Sequence, residues 1–177
     1  MVSKAKIIPY ESDELDENFR KHVIELFRNA KKSITIITGE GSAFGYQDVR
    51  WALKEALDRG VSCRVYANDP LYVSKWLSYG CNLYRGKEKV GDHFLVVDGQ
   101  SFIHSFLHER KKIGVREGDV HYLDGFNAKK ILKRFDLLVK HSKKLTSAED
   151  PLDRILKNPR DFGVVTQCSE IDDVVYG

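Results

Sequence analysis

Four side chains in the second half of the chain have chemistry to offer a substrate: His93, Asp98, His104 and His108. Imidazole exchanges a proton near neutral pH, and a carboxylate can orient or charge-balance it. His104 and His108 stand four apart, which is a metal-ligand spacing on a helix. The run SFIHSFLHE reads as a strand, where residues four apart merely share a face. No metal site is therefore expected, and no cofactor motif is present. A second group lies upstream in GEGSAFG, Gly39 to Gly45. Glu40, Gly41 and Ser42 are its candidates for ligand contact, because open α/β sheets collect ligands in loops beyond the C-terminal ends of strands. The loop is neither G-x-G-x-x-G nor a phosphate loop ending in Gly-Lys-Ser/Thr. A third group is cationic: Lys129, Lys133 and Lys140, on a late helix, could contact nucleic acid or another anion. The competing reading of those lysines is a solvated helix face.

The elements that must position these residues follow from hydrophobic spacing. Lys4 to Tyr10 suits an edge strand, with Pro9 near its end. Ser12 or Asp13 caps a helix to about Ala30, with Leu15, Phe19, Val23, Phe27 and Ala30 on one side. SITIIT, Ser33 to Thr38, is the continuous β-branched run of a strand covered on both faces. A helix from Tyr46 to Arg59 stops at Gly60, and Val61 to Ala67 is a second buried strand. Pro70 opens an expected third helix, to about Tyr79, followed by a short strand from Cys81 to Arg85. His93 to Val97 and Ser101 to Leu107 form a hairpin, because Asp98-Gly99 lies between two apolar runs. Asp119 to Leu123 is a further strand. Phe126 to Lys144 is a helix with Ala128, Ile131, Leu132, Phe135, Leu138 and Val139 inward. The order predicts a mixed β-sheet flanked by helices on both faces, an α/β domain over residues 1–145. Residues 146–177 read as an acidic C-terminal extension, loosely held or packed on the domain.

Composition narrows the class. The chain has 177 residues, 42% apolar and 31% charged, enough for one packed domain and unlike a disordered chain. No apolar run approaches the roughly 20 residues of a membrane-spanning helix, so no membrane insertion is expected. The N-terminus turns acidic where a secretory signal would be apolar, and the three cysteines show no paired spacing. Both features point to a cytoplasmic protein. The net charge of +3 is uneven. Residues 1–84 carry 12 basic and 11 acidic side chains, residues 85–144 carry 14 and 8, and residues 145–177 carry 3 and 7.

Two stretches resemble phospholipase D-like domains. NAKKSITIITGE, followed by a helix ending in ALDRGVSCRVYAND, is similar to that family's opening strand, helix and "R-G-V" strand. GDHFLVVDG, Gly91 to Gly99, is similar to the segment holding its signature H-x-K-x-x-x-x-D-G. Anchored on Asp98, the signature histidine falls on Gly91 and the lysine on His93. The later G-S-x-N stretch falls near His104 to His108, where Ser105 matches. The resemblance implies a fold, and it implies a chemistry in which a histidine attacks phosphorus to form a phosphohistidine. Lysine and asparagine then hold the non-bridging oxygens, and two signature copies meet at one site.

Glycine at the nucleophile position implies that this chemistry is lost. The leading expectation is a non-catalytic phospholipase D-like domain that binds a phosphorylated or anionic ligand or a partner protein. Ligand contacts are expected from Glu40, Gly41, Ser42, His93 and Ser105. The alternatives are a phosphodiesterase or nuclease remodelled on His93, His104 and His108, and a protein-interaction subunit without a small ligand. A homodimer is expected at the His93–Leu107 hairpin, to cover Phe94, Phe102 and Phe106.

Overall fold

The computed structural model describes residues 5–12, 17–106 and 116–146. It contains β1 (Lys6–Ser12), α1 (Glu17–Asn29), β2 (Ser33–Thr38), α2 (Gln47–Asp58), β3 (Ser62–Ala67), β4 (Asn82–Arg85), β5 (His93–Val97), β6 (Ser101–Ser105), β7 (Arg116–Tyr122), α3 (Gly125–Lys140) and β8 (Lys143–Lys144). His108 and the acidic extension beyond Thr146 lie outside the described residues.

The strands form one mixed sheet in the order β1-β7-β6-β5-β2-β3-β4-β8. β2, β3 and β4 are parallel neighbours, and every other pairing is antiparallel. β1 is an edge strand, as Pro9 requires. Helices cover both faces. Ile34 and Ile36 of β2 turn to the layer made by Phe19, Val23 and Phe27 of α1 and Val49 and Leu53 of α2. Ile37 turns the opposite way, with Val96 and Phe102, toward Ala128, Ile131, Phe135 and Leu138 of α3. The alternation along β2 explains why its sequence is apolar throughout: both faces are buried.

Three expectations change. Pro70 to Tyr79 is not an α-helix but a set of turns around a short 3-10 segment, Ser74–Leu77. The serine hydroxyls account for this. Ser74 Oγ donates to the Leu71 carbonyl at 3.1 Å and Ser78 Oγ to the Lys75 carbonyl at 2.7 Å. Such bonds compete with the α-helical ladder. The last helix stops at Lys140, and Lys143–Lys144 pairs instead with β4 as a two-residue edge strand. Finally, Phe94, Phe102 and Phe106 do not form an uncovered cluster. Phe102 is buried beneath α3, Phe94 packs partly against the same layer, and only Phe106 is exposed, at 37%. The apolar reason for a dimer at this hairpin is thereby removed.

Asp98 and Gly99 both adopt positive φ, 54° and 64°, the backbone of a tight two-residue hairpin turn. The Asp98 carboxylate reaches across to the start of β2. It accepts the N–H groups of Lys31 at 2.9 Å, Lys32 at 2.7 Å and Ser33 at 2.8 Å. Burial alone would raise its pKa, but these three bonds and the nearby Lys32 charge outweigh that and hold the group below its ordinary value. Asp98 thus joins the hairpin turn to the strand that precedes the Gly39–Gly45 loop.

Candidate functional site

β2 ends at Thr38 and runs into the Gly39–Gly45 loop. β5 begins at His93 directly beside it, because the two strands are antiparallel neighbours. β6 ends at Ser105, which is paired with His93. These three strand ends enclose a cavity of about 250 Å³. Its polar lining includes Thr38, Glu40, Ser42, His93 and Ser105, and its apolar lining includes Phe19, Phe44, Val90 and Ile103. No lysine or arginine lines it among the described residues.

The cavity sits at the C-terminal end of β2, one of the parallel strands, where the topology predicts a ligand. Glu40, Gly41, Ser42, His93 and Ser105 all line it. Asp98 does not, being about 17 Å along β5 from His93 at the pitch of a strand. His104 does not either. It neighbours Ser105 on β6 and so points to the other face, where its ring stacks on Phe94 at 4.5 Å. The structure therefore does not bring His93 and His104 together. Lys129, Lys133 and Lys140 lie on the exposed side of α3, away from the cavity.

His93 is held by its Nδ1. The Gly39 N–H donates to that nitrogen at 3.2 Å, and Thr38 Oγ1 lies 3.1 Å from it. A backbone N–H can only donate, so Nδ1 must be the acceptor and the hydrogen of the neutral ring sits on Nε2. Thr38, itself buried, then donates as well. Gly39 is in turn fixed from β3, since its carbonyl accepts both the Asn68 and Asp69 N–H groups at 2.9 Å. The Asn68 side chain spans to the opposite rim. Its Nδ2 donates to the Gly86 and Glu88 carbonyls at 3.1 and 2.6 Å, and its Oδ1 accepts the Val90 N–H at 2.9 Å. One asparagine thus ties together two loops bordering the cavity.

Ser105 is anchored from the sheet edge. Tyr10 Oη lies 2.5 Å from Ser105 Oγ, although β7 runs between their strands. Gly118 of β7 makes this crossing, since it pairs with both Tyr10 and Ser105. A Cβ there would stand 2.7 Å from Tyr10 Oη and 2.2 Å from the His104 carbonyl oxygen. Gly41 is equally constrained, with φ of 77° and Val73 against the place of its absent side chain. Thr38, Asn68, Tyr10 and Gly118 were not among the residues the sequence singled out. Gly118 stood just before the strand expected from Asp119, and the structure starts that strand earlier, at Arg116, so its close backbone approach was not readable either.

No helix among the described residues is long and apolar enough to cross a membrane, and no cluster of three metal-ligating side chains occurs among them. No protein-family model matches the chain, and no curated protein matches it by sequence. Solved structures do. The phospholipase D family member Nuc from Salmonella typhimurium superposes with a TM-score of 0.65 at 15% identity, covering 81% of this chain and all of that one. TrmBL2, an archaeal chromatin protein with a described mode of DNA binding, gives 0.60 at 14% identity, covering 81% of this chain and 55% of that one. The phosphatidylserine synthase of Haemophilus influenzae Rd KW20 gives 0.58 at 12% identity, with 90% and 46% covered. At these identities the likeness concerns architecture, and it agrees with the strand order and the two-sided helical cover: the chain has the phospholipase D-like fold.

Proposed function

We propose that this domain binds, without hydrolysing it, a small ligand that presents a phosphoryl-type oxygen to the cavity at the ends of β2, β5 and β6. The observation that carries the reading is the bond from the Gly39 N–H to His93 Nδ1. It supports a neutral ring with its hydrogen on Nε2, in which His93 serves as a hydrogen-bond donor. A nucleophilic imidazole needs the Nε2 lone pair that this tautomer lacks. The resemblance adds a second support, because the position of the family's attacking histidine falls on Gly91, which has no side chain. The fold neighbours add a third. One is a phospholipase D family member, one is named a phosphatidylserine synthase, and another is described by DNA binding. The Ser42 hydroxyl at the rim supplies another donor. Glu40 is also at the rim and exposed, so its charge is screened by water.

Calorimetry of the full chain with phenyl phosphate, together with absorbance assays on bis(p-nitrophenyl) phosphate, tests this. Binding without release of p-nitrophenol is expected. It should be lost in His93→Ala and largely kept in His93→Gln, whose amide retains a donor near the Nε2 position. Release of p-nitrophenol that disappears in His93→Ala would overturn the proposal.

A further inference from the structure

The outer side of α3 is more than a solvated lysine face. Its buried stripe is Ala128, Ile131, Phe135 and Leu138. Opposite runs a line at alternating steps of four and three residues: Phe126, Lys130, Lys133, Leu137 and Lys140. At 1.5 Å per residue it is about 21 Å long. The three lysines are exposed, and no acidic side chain falls on the line. The helix's one acidic residue, Asp136, is a quarter-turn away and engaged by Arg64 at 3.2 Å. Lysines alone would need no explanation beyond solubility. The two apolar members do, because Phe126 is 72% exposed and Leu137 60%. Single exposed apolar side chains are ordinary. Two of them interleaved with lysines in one straight line have the composition of a surface that takes a charged polymer bearing flat apolar groups.

We infer that the line Phe126–Lys130–Lys133–Leu137–Lys140 binds single-stranded nucleic acid, the lysines meeting phosphates and Phe126 accepting an unpaired base. Lys130 already stands 4.3 Å from the Phe126 ring centroid, so cation and ring form one platform for a base and its phosphate. Duplex DNA would offer phosphates but no base face to Phe126. A membrane would need a broader apolar face than two side chains about 16 Å apart along the axis. The site is separate from the cavity of the proposed function and does not depend on it.

Fluorescence anisotropy of a labelled oligothymidylate with the full chain tests the inference. Binding is expected at low salt, falling with added salt at a log–log slope of about −2 for three lysines on a single strand. Lys133→Glu with Lys140→Glu should weaken binding at least ten-fold and flatten that slope. Lys54→Glu, which makes half that charge change on α2, should leave binding unchanged. Phe126→Ala should weaken it about ten-fold with the slope unchanged, because stacking releases no counterions. Circular dichroism melts confirm that each variant folds. No anisotropy change at low salt, wild-type affinity in Phe126→Ala, or tighter binding to polyglutamate or to phosphatidylserine vesicles would each overturn it.

Discussion

Replacing Asp98 with asparagine tests whether the hairpin turn is fastened to β2 by charge. Asparagine keeps the side-chain size and tolerates the positive φ of 54° at this position, so the turn itself is not strained. Oδ1 of the aspartate accepts from Lys32 and Ser33, and Oδ2 accepts from Lys31. In the variant one oxygen still serves Lys32 and Ser33, now without charge, while an amide NH2 faces the Lys31 N–H. Losing the Lys31 bond costs about 1 kcal/mol. Losing the charge on the other two costs about 1 kcal/mol more, reduced because the site is partly open to water. The expected loss is therefore about 2 kcal/mol at pH 7, or a Tm lower by about 4–8 °C for a chain of this length.

The pH dependence has a definite sign. The folded-state pKa of Asp98 lies below its unfolded value. Its stabilisation is thus complete above the unfolded value, about 3.9, and is lost as pH falls through the folded value. Urea unfolding of both proteins between pH 7 and pH 3 should show a gap that is flat down to about pH 5 and narrows below about pH 4. Equal midpoints at pH 7, or a gap that persists undiminished in acid, would refute the reasoning.

Three other substitutions probe the supports of the cavity. Gly118→Ala forces a Cβ against the His104 carbonyl oxygen, so β6 and β7 must part; a loss of about 3 kcal/mol is expected in thermal unfolding. Tyr10→Phe removes the bond to Ser105 and should cost about 1–2 kcal/mol in the same measurement. Asn68→Ala should free the Gly86–Val90 rim, raising hydrogen exchange at the Val90 amide well before global unfolding.

The parts of the fold that were legible in the sequence are those governed by local pattern. SITIIT could only be a strand covered twice, and Asp98-Gly99 between apolar runs could only be a turn. Pro70 to Tyr79 misled because a proline followed by apolar spacing looks like a helix start, while the competing serine hydroxyls become decisive only once the chain is folded. The loop Glu40–Ser42 was readable from its place after a buried strand, and His93 and Ser105 from the family resemblance. Thr38, Asn68 and Tyr10 were not readable, because each acts across the sheet or between loops. Tyr10 and Ser105 are 95 residues apart in sequence. His104 was misplaced in the opposite sense: the residue type is right for chemistry, but strand alternation turns it onto Phe94 instead of into the cavity.

Nitrogen-15 NMR of the histidine rings in the full chain tests the central claim most directly. Long-range proton–nitrogen correlations, assigned with His93→Gln, distinguish the nitrogen that bears hydrogen from the one that does not. The expected result is a neutral His93 with hydrogen on Nε2 and a bare Nδ1, whose Nε2 signal moves on titration with phenyl phosphate while the phosphate ester stays intact. A His93 ring protonated on Nδ1 with a bare Nε2, or an ester consumed during the titration in wild type but not in His93→Gln, would contradict it.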